Sequence, residues 1–508
     1  MAHRLAWGSW WSRRLGVCAV IALAAGCNGS DSLSGSGGSR GGTGIGNHAG
    51  GTGASGGAGA SGGTGASSGT GASSGTGASS GTGASSGAGA IGGAGGAGGA
   101  GGSSGTGGTP IGGSFGNNVD ILIMVDNSSE MTLMQGKLYD QLPAFIQQLE
   151  SLPVPPSLHL AIVSSDMGAP GDSTAAIMCT TVGDQGEFQS APRSNATLTP
   201  PVSCTSSTIA NPTGLTDSNH TFISDVDMMP NFTDPLGTVL QCIAPLGDAG
   251  CGFEHQLASI DRALGADGLG PAPSQNGGFL RPNAYLVILM LTNEDDCSAP
   301  ANTTIYSLNG SMQNISNPDG PIANYRCNGG PRGGHLCQDP HAANPTAYLT
   351  PPLKPPGDAQ GTPTELTLDL ANCEDNETGT SALTPVSQFV NDIKALKPDP
   401  DNQILVAAIA APATPYSVVW TPEQGGQNTQ PGELWPNVMH SCGPSGGYVN
   451  PAATDHSTDG SFGDPAVRIA QFTNAFPNSV LGSICDPNFS SAMSTLAGRI
   501  AQLIEPSL

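Results

Sequence analysis

Basic charge is scarce in this chain: 15 Lys and Arg stand against 39 Asp and Glu, for a formal net charge of −24. Such a surface repels phosphate backbones, which excludes nucleic acid as a partner and leaves metal cations as favoured company. Long apolar runs are missing as well, since Leu15 to Ala25 is too short to cross a bilayer. No His-Glu-x-x-His zinc helix, no Walker loop, and no dinucleotide fingerprint set between a strand and a helix occurs, so three common cofactor chemistries have no signature here. Cys-x-x-Cys pairs are absent too. A chain of 508 residues ordinarily holds about two or three domains. Many of the 76 glycines, however, sit in one tract with nothing to bury, which points to a single folded body.

What is present begins with an export signal. Arg4, Arg13 and Arg14 precede the apolar run, which closes on Ala24-Ala25-Gly26-Cys27. Cys27 resembles the acceptor of a bacterial lipoprotein lipobox, with Ala24 where Leu is usual. The resemblance implies a signal peptide over 1–26, cleavage before Cys27 and a lipid anchor in the cell envelope. The alternative is a plain secretory signal with a chance cysteine. Asn28 is compatible with outer-membrane sorting, facing either the periplasm or the surface.

Cysteine usage agrees with export. Of 12 cysteines, Cys18 lies in the signal and Cys27 at the lipid site, leaving an even set of ten that reads as a disulfide framework. Proximity pairs Cys179 with Cys204, Cys242 with Cys251, Cys327 with Cys337, and Cys442 with Cys485, which leaves Cys297 for Cys373. Zinc on Cys327, His335, Cys337 and His341 is the competing reading.

From 27 to 116 the chain is Gly, Ser, Ala and Thr, with "GTGASS" recurring at Gly69–Ser74 and Gly75–Ser80. The repeat offers no large apolar side chain to stack, so it reads as a flexible tether with a mean reach of roughly 50 Å. The body, 117–508, alternates strands and helices. Continuous apolar strands are expected at Val119–Val125, Leu158–Val163, Ala284–Leu291 and Ile404–Ala411. Helices are expected at Met131–Leu149, Phe253–Leu264, Gln388–Leu396, Pro465–Phe476 and Ser490–Ile504. Strands apolar on both faces, alternating with helices, describe a doubly wound, mostly parallel α/β sheet of Rossmann type. Two polar stretches, about 167–248 and 298–385, interrupt the pattern and read as disulfide-bordered insertions.

Ligands of such sheets bind beyond the carboxyl ends of the strands, which is where the oxygen-rich side chains cluster. Asp126-Asn127-Ser128-Ser129-Glu130 follows the first strand, Asp166 the second, and Asn293-Glu294-Asp295-Asp296 the third. Carboxylates and hydroxyls gathered without basic partners suit a hard divalent cation such as magnesium, calcium or manganese. The alternative is a loop in which Asp126 and Ser128 cap the following helix.

The order of elements, and "VDILIMVDNSSEM" in particular, resembles a von Willebrand factor type A domain with its metal-ion-dependent adhesion site. Asp126 and Ser128 match the Asp-x-Ser-x-Ser motif, Glu130 replaces the last serine, and Asn293 stands where a later aspartate is usual. Asp248 in "PLGDAGCGFEHQL" lies near the place of the family's distant threonine, and Asp295 adds a carboxylate to the Asn293 loop. The chain is similar as well to bacterial type A lipoproteins carrying "CGFE" and "EDDCS" segments and a closing "SIC". The resemblance implies a non-enzymatic envelope or surface lipoprotein that binds a protein or another extracellular macromolecule, with a degenerate metal site. A metal-assisted hydrolase drawing its acid and base from Glu130, Glu294, Asp295 or Asp296, and a structural lipoprotein with an inactive site, are the alternatives.

Weaker signals complete the reading. Asp455, Ser457, Asp459 and Gly460 imitate the start of a calcium loop, but Ala466 stands where a bidentate Glu is needed. Asp464-Pro465 reads as a helix N-cap followed by Pro at the first helical position. His255 reads as a surface histidine. Gly443-Pro444-Ser445-Gly446-Gly447 fits a nucleophile pattern without the strand and helix such a motif requires.

Overall fold

The computed structural model describes residues 115–169, 179–191, 193, 209, 221–306, 324–357, 363–422 and 434–504. The signal segment, Cys27, nearly all of the tether and Cys204 lie outside the described residues.

The apolar runs form the strands expected of them. β1 (Asn118–Val125), β2 (Ser157–Ser164), β5 (Tyr285–Leu291), β9 (Ile404–Ala410) and β12 (Asn478–Ser483) are parallel, in the order β12-β9-β5-β1-β2. The antiparallel hairpin of β3 (Ile223–Val226) and β4 (Met229–Pro230) extends the sheet beyond β2. The side-chain period of two sends alternate residues of each strand to opposite faces. Ile121, Ile123 and Val125 therefore meet α1 (Thr132–Glu150), α2 (Leu236–Ile243) and α6 (Ser490–Ile504), in one apolar layer. Leu122 and Met124 meet α3 (Gln256–Leu264), α4 (Val386–Lys394) and α5 (Val467–Asn474) in the other. Helices cover both faces, which is why the central strands carry no solvent-facing polar row.

Three elements depart from the sequence expectation. α2 lies inside the stretch 167–248 read as polar, yet its Leu236, Val239, Leu240 and Ile243 belong to the main core. β12 was not anticipated, because its sequence NSVLGS is only partly apolar and lies at the sheet edge. The stretch 298–385 is more than an excursion. It supplies β6 (His335–Gln338), β7 (Tyr348–Leu349) and β8 (Thr367–Asp375) to a second, antiparallel sheet completed by β10 (Tyr416–Pro422) and β11 (Leu434–Val438). That sheet has its own apolar centre in Leu368, Leu370, Tyr416, Val418 and Trp420.

Disulfides join Cys179 to Cys251, Cys297 to Cys327, Cys337 to Cys373, and Cys442 to Cys485. Only the last agrees with pairing by proximity. Cys337 and Cys373 sit on the neighbouring strands β6 and β8, so sheet pairing brings them together across 36 residues. Cys327 is then taken by Cys297 just past β5, and Cys251 by Cys179 beyond β2. Cys242 is disulfide-bonded as well. With Cys327 and Cys337 both oxidised, the zinc reading of that segment falls.

Candidate functional site

Because β2, β1 and β5 are adjacent and parallel, their carboxyl ends place Ser164–Asp166, Asp126–Ser128 and Thr292–Glu294 along one edge of the sheet. Asp126 is fully buried there. Its Oδ1 accepts the Ser128 N–H at 2.8 Å and the Ser165 hydroxyl at 3.3 Å, and its Oδ2 accepts the Thr292 hydroxyl at 2.7 Å. Burial pushes its carboxyl above the usual range, against the pull of these donors. Ser128 Oγ helps hold the Asp126 charge but makes no well-formed hydrogen bond. Asn127 Oδ1 and Nδ2 and Asn293 Oδ1, all buried, have no hydrogen-bond partner among the described residues either. Native interiors rarely leave such groups unsatisfied, so their concentration at one strand edge makes it the candidate site.

The loop that closes over this edge is held from α1. Gln135 Nε2 donates to Asp126 O at 2.8 Å and to Gly247 O at 2.7 Å, while its Oε1 accepts the N–H of Leu246 and Gly247 at 2.9 and 3.0 Å. Gly250 donates its N–H to Asn127 O at 2.7 Å. A side chain at Gly250 would collide with the Asn127 amide at 2.3 Å, so a glycine is required for this approach.

Past Gly250 the same loop delivers Glu254, a residue the sequence reading did not single out as a ligand. It is buried beside Glu294, with the two carboxyls hydrogen-bonded to one another. Burial first, then the charge of Glu294, raises the Glu254 carboxyl far above its ordinary value, which favours its protonated form. Glu294 is raised by burial and by the charges of Asp464 and Asp126. The charges that act on both are negative. The sequence signal for Glu254 was its place in "CGFEH", but a Glu-His pair before a helix looks like surface. Here the disulfide at Cys251 and the bond from His255 N–H to Ser165 O at 3.0 Å draw the segment inward. His255 is accordingly buried rather than exposed, with Nδ1 3.2 Å from the Tyr306 hydroxyl.

The structure thus gathers Asp126, Ser128 and Asn293 from the expected cation set and adds Glu254 and Glu294. Glu130 is exposed at a left-handed φ of 81° and acts on Glu294 through its charge. Asp248 lies on the exposed rim, accepting the Thr132 hydroxyl at 3.1 Å. Asp295 belongs elsewhere. Its carboxylate takes the N–H groups of Arg468 and Ile469 at 2.9–3.1 Å, filling the open first turn of α5, and His335 Nε2 at 2.7 Å. Asp296 does the same for α3 through Leu257 N–H at 2.9 Å, and Asp375 for α4 through Val386 N–H at 2.7 Å. The buried Arg468 guanidinium pairs with both. These carboxylates are occupied in joining the two sheets.

In the calcium-like stretch, where Ala466 already spoke against a metal, Asp459 pairs with the Lys137 ammonium at 2.8 Å. One other expectation is corrected. Asp464 is not a helix cap: α5 begins at Val467 without side-chain capping from its own N-terminal residues, and Asp464 instead faces His440 Nδ1 at 2.5 Å.

Among the described residues, no three His, Cys, Asp or Glu side chains are gathered in a set that could hold a metal ion. A cation at the strand edge would therefore draw on mixed oxygens: the Asp126 carboxylate, the Ser128 hydroxyl, the Asn127 or Asn293 amide and the Glu254–Glu294 pair. Their unsatisfied oxygens fit a hard cation. No helix among the described residues is long and apolar enough to cross a membrane. No protein-family model and no curated protein matches the chain.

Proposed function

We propose that this chain is an exported, lipid-anchored binding protein whose type A-like domain holds a divalent cation at the carboxyl edge of its sheet. Through that cation it captures an acidic group of an extracellular or envelope macromolecule. The observation that carries the reading is the strand-edge cluster itself: among the described residues, Asp126 is buried without a basic partner, beside the unsatisfied oxygens of Ser128, Asn127 and Asn293. A cation offsets the desolvated negative charge and supplies the missing partners at once. The strand order, with an antiparallel hairpin beyond β2, and the Asp-x-Ser motif after β1 support the type A reading. The Leu15–Ala25 run closing on Cys27, and the Gly-rich segment after it, support the anchor and tether.

A ligand that binds only the folded state raises its stability. Calcium, magnesium or manganese is therefore expected to raise the melting temperature over that in chelator, and Asp126→Ala to abolish the rise. An equal rise in Asp126→Ala would remove the site from this role. The Glu254–Glu294 pair favours a second reading, a metal-assisted hydrolase in which the proton-bearing carboxyl acts as general acid. Hydrolysis of a glycan, ester or peptide that disappears in Glu254→Gln would establish it.

A further inference from the structure

His440 follows β11 and is fixed by its backbone, with its N–H on Tyr448 O at 3.1 Å and its carbonyl accepting the Asn450 N–H at 2.9 Å. Its ring lies 4.4 Å from that of Phe462, at 35°, and 5.9 Å from that of Tyr448. All three side chains are half-buried. Nδ1 sits 2.5 Å from Oδ1 of Asp464, whose side chain is only 4% exposed. Asp464 in turn donates its N–H to Asn293 O at 2.8 Å and is the foremost charge acting on Glu294. The histidine therefore borders the strand-edge cluster through a single aspartate.

His335 shows what a purely structural histidine looks like in this fold. It is fully buried, and both ring nitrogens are engaged, by Asp295 at 2.7 Å and by the Tyr416 hydroxyl at 3.0 Å. His440 shares the aspartate but not the second partner: its Nε2 has no hydrogen-bond partner among the described residues, and its side chain is 17% exposed. In the neutral ring, donation from Nδ1–H to Asp464 leaves the Nε2 lone pair free for an external donor. Phe462 and Tyr448 flank it with apolar ring surface. A hydroxyl donor carried on a ring with an apolar C–H face meets both features.

We infer that His440, Tyr448 and Phe462 form a subsite for a hydroxylated acidic sugar, a uronate unit of an acidic polysaccharide. A sugar hydroxyl donates to His440 Nε2, the pyranose face lies on the aromatic rings, and the carboxylate completes the shell of the cation at Asp126. The inference rests on the cation reading above, because a chain of net charge −24 offers this sugar little other cationic attraction.

The test is calorimetric titration of the full chain with a saturated oligogalacturonate in calcium, with carboxyl-reduced oligomer and polyglutamate as comparators. Wild-type protein is expected to bind the oligogalacturonate and neither comparator. His440→Ala should weaken that binding about ten-fold or more, the scale of a lost hydrogen bond together with ring packing. Phe462→Leu removes a ring face and leaves the His440–Asp464 pair in place. It should also weaken oligomer binding while calcium affinity without oligomer and the melting temperature stay close to wild type, which a merely structural role for the subsite would not allow. Undiminished binding by His440→Ala, or polyglutamate binding as tightly as the oligomer, would overturn the inference, the latter in favour of an acidic protein ligand. Normal calcium binding with no oligomer binding would overturn it alone. Absence of calcium binding in the wild type would overturn the cation reading as well.

Discussion

Neighbouring residues at the end of β5 have opposite fates. Asn293 and Glu294 serve the strand-edge cluster, while Asp295 and Asp296 turn to helices α5 and α3. In the sequence "TNEDD" they are one acidic run, and only the packing of helices on the far side separates them. The Glu254–Glu294 pair carries its own prediction. A carboxyl whose folded pKa is raised keeps a proton that the unfolded chain releases near its ordinary value. Stability is therefore lost as pH rises from about 4.5 through the raised value. In chelator, Glu254→Gln is expected to gain about 1–2 kcal/mol over wild type at pH 8 and little at about pH 4.5, read by urea unfolding. No pH-dependent gain would mean that the pair is not protonated. Histidines act at the acid end. Burial lowers His159 and His255 to about 4, so the folded protein holds them neutral while the unfolded chain protonates them near 6.5. Their contribution is complete above about pH 6.5 and is lost as pH falls towards 4, by about 3 kcal/mol each. His159→Gln should flatten that part of the acid unfolding profile, and an unchanged profile would contradict the assignment.

Among the elements, the four strands β1, β2, β5 and β9 and most of the helices between them were readable, because short, nearly continuous apolar runs alternating with helical patterns fit strands covered on both faces; α2, inside a polar stretch, was not. The second sheet was not. β8 does alternate, with Leu368 and Leu370 inward, but it lies in a stretch rich in Pro and Asn and finds its partners β6 and β10 far along the chain. Its attachment to the main sheet depends on Arg468, a lone basic residue in α5 whose role no local pattern announces. Arg468 holds Asp296 and Asp375, which in turn fill the first turns of α3 and α4. Replacing it with Met leaves two buried carboxylates without their cation, and a loss of about 3–5 kcal/mol is expected in denaturant unfolding. A loss under about 1 kcal/mol would show that the network is not what joins the sheets. The site was legible to the same degree: Asp126 and Ser128 announce themselves by following an apolar strand. Glu254 does not, because its inward course depends on the Cys179–Cys251 disulfide and on β2, both remote in sequence.

For the whole molecule, the proposed arrangement is a lipid at Cys27, a Gly-rich tether and a folded body whose acidic surface recruits cations to one sheet edge. In this proposal the tether sets how far the body reaches and the site sets what it holds, so the two are separable, and capture through the cation is reversible by chelation. All of this turns on whether the strand edge binds a divalent ion. The most direct measurement is isothermal titration of calcium, magnesium and manganese into the purified full chain, beside Asp126→Ala and Ser128→Ala. The account predicts a single site per chain for at least one of these ions, abolished by Asp126→Ala and weakened about ten-fold by Ser128→Ala through loss of one oxygen ligand. No heat of binding in the wild type, or binding that survives Asp126→Ala unchanged, would contradict it.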